Sequence, residues 1–408
     1  MQKIYWIISL CLALLLSACN NEEDKIKTVG SRTVLVYMAA ENSLSDSRDW
    51  DVNLPLPDAD VSEMEAGAKS LPDNVNLILF WDSPKTNSKL YRIDKSGRKE
   101  IKDYGADLVS TDISVLKRVL SDTESMYPAG EYAMVMWSHA TGWQPENLTT
   151  TGAISRSFGQ DENSGSLASQ IDIPDLAKAL QGFPKFKYIM FDACFMQCIE
   201  VAYDLRNVTD YILGAPCEIP GTGAYYNKLV PAMFSSNFVQ DLVNNYYQPY
   251  IEENKQNPTG GYGAVMAALD CSQVDNFTAV TREVLPEYSA DKSLDIDLLQ
   301  TYIAYYNVFP LTNYKISPYY DIKGQMKQIL SADDFQKWEA ALNKLIVSKG
   351  TTDTFYTAYA GSNIAVDKDK FSGLAGYVPN MYPKCEIWDN LFRKTNWYEA
   401  AGWKEKGW

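Results

Sequence analysis

Lys187-Tyr188-Ile189-Met190-Phe191-Asp192-Ala193-Cys194 is a β-rich apolar run that ends on a thiol and gives way to a helical pattern from Phe195. Tyr132–Trp137 has the same form and ends in Ser138-His139. Outward from these two, Thr33–Met38, Val75–Trp81 and Tyr211–Leu213 are further strand candidates, with helical patterns over Val61–Ser70, Ile113–Met126, Pro174–Gln181 and Phe195–Arg206. Strands alternating with helices predict an α/β fold with a mostly parallel sheet and right-handed crossovers. From about Asn237 the pattern turns to helices, over Phe238–Glu253, Asp295–Tyr306 and Asp334–Lys349, with tyrosine-rich loops and few strong strands. A soft boundary near residue 235 therefore divides an α/β domain, 31–235, from a helix-rich C-terminal domain, 236–408.

The chemistry gathers at the two strand ends. A thiol at a strand-to-helix turn lies near backbone N–H groups and the positive end of a helix dipole, which favours the thiolate. Cys194 is thus a candidate nucleophile, against the alternative of a buried, inert cysteine; Cys198, inside the predicted helix, reads as a small core residue. The chain contains one histidine, His139. Imidazole is the side chain best suited to proton transfer near neutral pH, and the carboxyl ends of strands in open α/β sheets are where sites form. The alternative is a histidine satisfied by local hydrogen bonds. If both strands are parallel members of one sheet, His139 and Cys194 emerge at the same edge.

The N-terminus reads as an address. Lys3, the apolar run Ile4 to Leu16 and the small residues before Cys19 have the form of an export signal, too short for a spanning helix. Leu16-Ser17-Ala18-Cys19 resembles the bacterial lipobox, in which the cysteine is lipidated; residues 1–18 are then a signal peptide and 19–30 a tether. The acidic stretch Asn20-Asn21-Glu22-Glu23-Asp24 resembles a surface-export signal of some Gram-negative lipoproteins, so the expected location is the bacterial outer membrane or cell surface. The net charge of −15 argues against nucleic acid, which requires a basic surface. A cationic substrate suits it better. Cys194, Cys198, Cys217, Cys271 and Cys385 remain after the leader, an odd number with no zinc spacing, so no structural metal is expected.

His139 precedes Cys194 by close to the roughly 50 residues of the caspase pattern. The chain resembles the clostripain family of caspase-like cysteine peptidases. The resemblance is carried by Thr33-Val34-Leu35-Val36-Tyr37-Met38-Ala39-Ala40-Glu41-Asn42, by Trp137-Ser138-His139 with Gly142-Trp143, and by Phe191-Asp192-Ala193-Cys194-Phe195-Met196. It continues through Pro220-Gly221-Thr222-Gly223 with Tyr225, Ser372-Gly373-Leu374 with Pro379, and Trp397-Tyr398 with Ala401-Gly402-Trp403.

The resemblance implies a caspase-like α/β/α sandwich, a Cys194/His139 dyad, backbone N–H groups of Ala140 and Cys194 as oxyanion donors, and cleavage after a basic residue of protein or peptide substrates. Where the family has glycine after the histidine this chain has Ala140, which resists positive φ. Asp192 stands at the family's position for the acid that meets a basic P1 side chain, and Glu218, after the next strand, is a second candidate; each could instead cap a helix or satisfy loop amides. The polar loop from Gln144 to Ser166 is where the family cuts itself. Arg156 is the self-cleavage candidate, which would leave two associated chains, or else a plain exposed arginine.

The chemistry requires no cofactor. The resemblance leaves room for Ca2+, but the EF-hand spacing is absent: Asp367-Lys368-Asp369-Lys370 and Asp161-Glu162-Asn163 both fail it and read as solvated loop charges. The rival readings are a catalytically silent lipoprotein of the same fold that acts as a binding module, another thiol hydrolase acting on cell-wall material, and a purely structural surface protein.

Overall fold

The computed structural model describes residues 29–49, 51–144, 157–164, 169–256, 262–289, 294, 303–305, 317–357, 362–379 and 385–408. The leader with Cys19, and Arg156, lie outside the described residues. The first half runs β1 (Gly30–Ala39), α1 (Leu56–Ala68), β2 (Val75–Ser83), β3 (Thr86–Asp94), β4 (Gly97–Asp103), α2 (Ile113–Met126) and β5 (Ala129–Trp137). There follow β6 (Ser157–Asp161), β7 (Ser169–Asp172), α3 (Ile173–Leu180), β8 (Phe186–Asp192), α4 (Ile199–Leu205), β9 (Thr209–Gly214), α5 (Tyr226–Met233) and α6 (Phe238–Gln256). Then come β10 (Val265–Asp270), α7 (Val274–Val284), β11 (Tyr320–Asp321), α8 (Ile322–Ile329), α9 (Ala332–Leu345) and β12 (Ile346–Thr351).

Nine strands form one sheet in the order β12-β10-β9-β8-β5-β1-β2-β3-β4. The five inner strands, β9-β8-β5-β1-β2, are mutually parallel and are the five the sequence predicts. Antiparallel strands extend both edges: β3 and β4 beyond β2, β10 and β12 beyond β9. Successive side chains of a strand face opposite sides, so the unbroken apolar run of β1 feeds two cores. Val34, Val36 and Met38 pack with Met64, Leu229 and Tyr246 of α1, α5 and α6. Leu35, Tyr37 and Ala39 pack on the other face with Leu116, Leu176, Ile199 and Phe277 of α2, α3, α4 and α7. The result is three layers, α/β/α.

Helix boundaries follow local chemistry. Asp112 caps α2 by accepting from Ser114 N at 2.7 Å, and Leu116, Val119, Leu120 and Thr123 repeat at helical spacing on its buried stripe. The helix predicted over Asp334–Lys349 ends instead at Leu345, and β-branched Ile346 and Val347 begin β12. That strand and β10 bring the chain beyond residue 236 into the sheet. The helix predicted over Asp295–Tyr306 lies mostly outside the described residues.

A candidate active site at two neighbouring strand ends

Register pairs Trp137 of β5 with Asp192 of β8, so Ser138-His139 and Ala193-Cys194 leave the sheet side by side. The two loops that follow interlock. Gly142 has φ +62°, and a Cβ there would collide with the carbonyl oxygen of Phe195, which itself has φ +61°. The Phe195 ring stacks on Tyr319 at 4.6 Å between centroids, and the Tyr319 hydroxyl donates to Thr141 O. The backbone turn after each candidate residue is thus held by the other.

That turn corrects one expectation. Helix α4 begins at Ile199, not at Phe195, and Cys198 is its N-cap rather than an interior residue, though fully buried as predicted. Cys194 therefore does not sit on a helix N-terminus. Burial pushes its thiol up to about 12, with Glu218 and Asp192 adding to the shift against a hydrogen bond from Ile219 N to Sγ at 3.4 Å. Burial also lowers the His139 pKa. The resting pair is a neutral thiol and a neutral imidazole. His139 Nε2 lies 3.0 Å from Ser43 Oγ, and among the described residues no hydrogen bond joins His139 to Cys194. Ser43 was not singled out from the sequence; its signal is its place just past the end of β1, next to β5 in the sheet.

Ala140 pairs with Phe158 of β6, flanked by hydrogen bonds from Gly159 N to His139 O at 2.9 Å and from Thr141 N to Ser157 O at 3.1 Å. In such a pair the central residue's own N–H points away from the partner strand. Ala140 is not among the residues of positive φ, so its methyl carries no backbone strain here.

Asp192 is buried at the end of β8, where its carboxylate accepts from Tyr226 Oη at 2.9 Å, Tyr246 Oη at 3.1 Å and Ala224 N at 3.3 Å. Burial raises its carboxyl to about 6 against the pull of those three donors. Gly223, at φ +57°, covers it: a Cβ there would lie 3.1 Å from Oδ2. Just beyond lies a cleft of about 380 Å³ lined by Leu44, Arg48, Leu56, Glu218, Ile219 and Thr222. Glu218 faces this cleft directly; Asp192 lies behind residues 222–224. A wider groove of about 520 Å³ beside Lys178, Tyr203 and Asn396 contains none of the candidate residues and is more open to solvent.

The stretch read as loop through Ser166 contains β6, paired with β7. Asp161 is fully buried, not a solvated charge: its Oδ2 accepts from Ser110 N at 2.5 Å and Ser110 Oγ at 2.8 Å. It faces Asp82, whose Oδ1 accepts from Ser88 Oγ at 2.6 Å. Burial, reinforced by the neighbouring Asp161, raises the Asp82 carboxyl to about 7. A carboxyl raised above its unfolded value stabilises the fold below the unfolded pKa, and that contribution is lost as pH rises through the folded one. Stability should therefore fall as pH rises from about 4 to about 7 and level off above that, with Asp192, raised to about 6, adding to the fall below pH 6. Asp82→Asn, which mimics the protonated state, should flatten that limb of a melting-temperature profile. An unchanged slope would assign the titration elsewhere. Asp367 does lie on the surface, paired with Lys370 at 3.3 Å.

Among the described residues no group of three or more His, Cys, Asp or Glu side chains is placed to hold a metal ion. A sequence model of the clostripain family matches residues 36–408. The chain belongs to the clostripain family. It is similar to clostripain of Hathewaya histolytica, at 22% identity over 90% of this chain and 78% of that protein. The fold of this clostripain-family chain matches a secreted C11 cysteine protease from Bacteroides thetaiotaomicron, solved in complex with an irreversible peptide inhibitor. There the identity is 33%, with 92% of this chain and 99% of that chain covered, at a TM-score of 0.74. An inactive zymogen C11 protease from Parabacteroides distasonis matches at 25% identity, 92% and 99% coverage and a TM-score of 0.72. The clostripain-family chain is accordingly a cysteine-type endopeptidase with a caspase-like fold.

Proposed function

We propose that this peptidase cuts after lysine or arginine through a Cys194/His139 dyad. The observation that carries the reading is the pairing of the two strand ends, with the following loops interlocked at Gly142 and Phe195, near a cleft that Glu218 lines. A thiol pushed up and an imidazole pushed down by burial suit proton transfer that accompanies attack. His139 takes the thiol proton as sulfur adds to the scissile carbonyl, then delivers it to the leaving amine; water completes the cycle by hydrolysing the thioester. The N–H groups of Ala140 and Cys194 meet the oxyanion, a donor of this kind being worth roughly 2.7–4 kcal/mol.

Glu218 at the cleft wall and Asp192 beneath Gly223 are the acids for the basic side chain. Gly223 lies against the Asp192 carboxylate, an added Cβ standing 3.1 Å from Oδ2, and a desolvated cation requires a carboxylate partner. Self-processing in the loop containing Arg156 is part of the reading, supported by the zymogen state of one relative, as is export, supported by the secreted state of another. So is a lipid anchor on Cys19, for which the lipobox-like residues are the support. Ca2+ enters no step.

The test is labelling of residues 20–408 by acyloxymethylketone probes with lysine, arginine or a neutral residue at P1, alongside Cys194→Ala. Labelling at Cys194 by the basic probes alone is expected. Equal labelling by the neutral probe would end the basic preference. No labelling, even after limited trypsin cleavage within 145–156, would favour the catalytically silent reading. Asp192→Asn should reduce basic-probe labelling by on the order of tenfold or more while leaving the thiol open to iodoacetamide.

A further inference from the structure

We infer that Ser43 is a positioning residue for His139: its Oγ accepts the Nε2 proton and so leaves Nδ1 as the nitrogen that exchanges a proton with Cys194. The inference rests on the dyad proposed above and adds to it the tautomer and the group that sets it. An imidazole has two nitrogens, and a base must present a lone pair on one while the other carries the hydrogen. Ser43 Oγ stands 3.0 Å from Nε2, so that nitrogen is engaged.

Ser43 is exposed, but the backbone that carries its hydroxyl is held by buried neighbours. Ser43 opens a short turn, Ser43–Ser45, whose N-cap is Asn42, accepting from Leu44 N at 3.0 Å. Asn42 is buried, and its Nδ2 donates to Ala39 O at 2.9 Å, to Gln160 O at 2.9 Å and to Ser138 Oγ at 3.3 Å. Ser138 in turn donates to Ala39 O at 2.8 Å and accepts from Gln160 N at 3.2 Å. One buried amide thus ties the ends of β1 and β5 to β6, and Ser43 directly follows that amide, Asn42, as His139 directly follows Ser138. Their separation is set by the sheet.

A hydroxyl orients the ring without supplying a counter-charge. This matches a base whose neutral form is the resting one, since a carboxylate at the same place would hold the imidazolium instead. The opposite assignment, with Ser43 donating its O–H into Nε2, would put the hydrogen on Nδ1 and turn Ser43 into a brake. The two assignments predict opposite effects of removing the hydroxyl.

The chain's single histidine makes the test direct. Tag-free residues 20–408, with ring nitrogens labelled at His139 alone, are compared as wild type, Ser43→Ala and Ser43→Thr by long-range proton–nitrogen spectra and by kinetics on a P1-lysine substrate. The wild type should show the Nε2–H tautomer, and Ser43→Ala a mixture of tautomers. Its kcat should fall on the order of tenfold at unchanged KM, a fraction of the 10²–10⁴ that a positioned base supplies. Ser43→Thr should restore both readouts, and equal melting temperatures would exclude a merely structural effect. A dominant Nδ1–H tautomer in the wild type, or a Ser43→Ala variant faster than the parent, overturns the inference. Full activity of His139→Ala would overturn the dyad itself, a result separable from the Ser43 arms because the spectra report the ring whatever the activity.

Discussion

Cys194→Ala is expected to lower kcat/KM for a lysine-P1 amide by on the order of 10⁴ or more, because the thioester would form on Cys194 and the other described cysteines are buried. His139→Ala should come close to the same loss, and the double variant should be little worse than either alone, since residues that act as one unit lose their effect together. The folded state should hardly register these changes. Cys194 is only partly buried, and its Sγ accepts a long bond from Ile219 N at 3.4 Å. Melting temperature and turnover should thus separate cleanly. Single variants within tenfold of the parent would sink the dyad. A double variant far slower than either single one would mean that each residue acts on its own.

Gly142→Ala is expected to damage both stability and activity although position 142 contributes no side chain. An alanine at φ +62° costs on the order of 1–2 kcal/mol, and its Cβ would in addition meet the Phe195 carbonyl, which is backbone and cannot swing aside. The least costly relief moves Phe195, and with it Cys194. Displacements of about 1 Å at a reacting group can cost about 10²-fold in rate. A melting temperature lowered by several degrees with a 10²-fold loss of kcat is the expected pair of results. Gly182, whose nearest neighbour for an added Cβ is Ala179 O at 3.8 Å, is the control, and Gly182→Ala should be near neutral. Equal effects at the two positions would show that the contact between the loops is unimportant.

The parts of this site that could be read from the chain are those written into local pattern. Five apolar runs became the five parallel strands, and the two that end on Ser-His and Ala-Cys did emerge side by side. The misread parts are set by partners distant in sequence. Phe195, Met196 and Cys198 are apolar and suit a helix, but apolarity reports burial, not backbone conformation. Phe195 is turned to positive φ where it meets Gly142 and donates its N–H to Cys217 O at 3.0 Å. Asp161 looks like a loop charge until Ser110 supplies its N–H and hydroxyl across the fold. The run of β10, Val265-Met266-Ala267-Ala268-Leu269-Asp270, has only one β-branched residue and becomes a strand by pairing with β9.

The order of strands in the sheet has a consequence for what a nick would make of this molecule. A cut anywhere in 145–156 falls between β5 and β8, which are neighbours in the sheet, and every strand from β1 to β5 lies on one side of that line. The upstream fragment would carry β5-β1-β2-β3-β4 and the histidine; the downstream fragment would carry β12-β10-β9-β8 and the thiol. The nicked protein would then be a heterodimer whose central sheet divides between β5 and β8, with β6 of the downstream half also bonded to the end of β5, and with the proposed pair, His139 and Cys194, on opposite sides of the subunit boundary. After denaturation its recovery would become a bimolecular reaction, first order in each half, while the uncut chain regains activity at a rate independent of concentration.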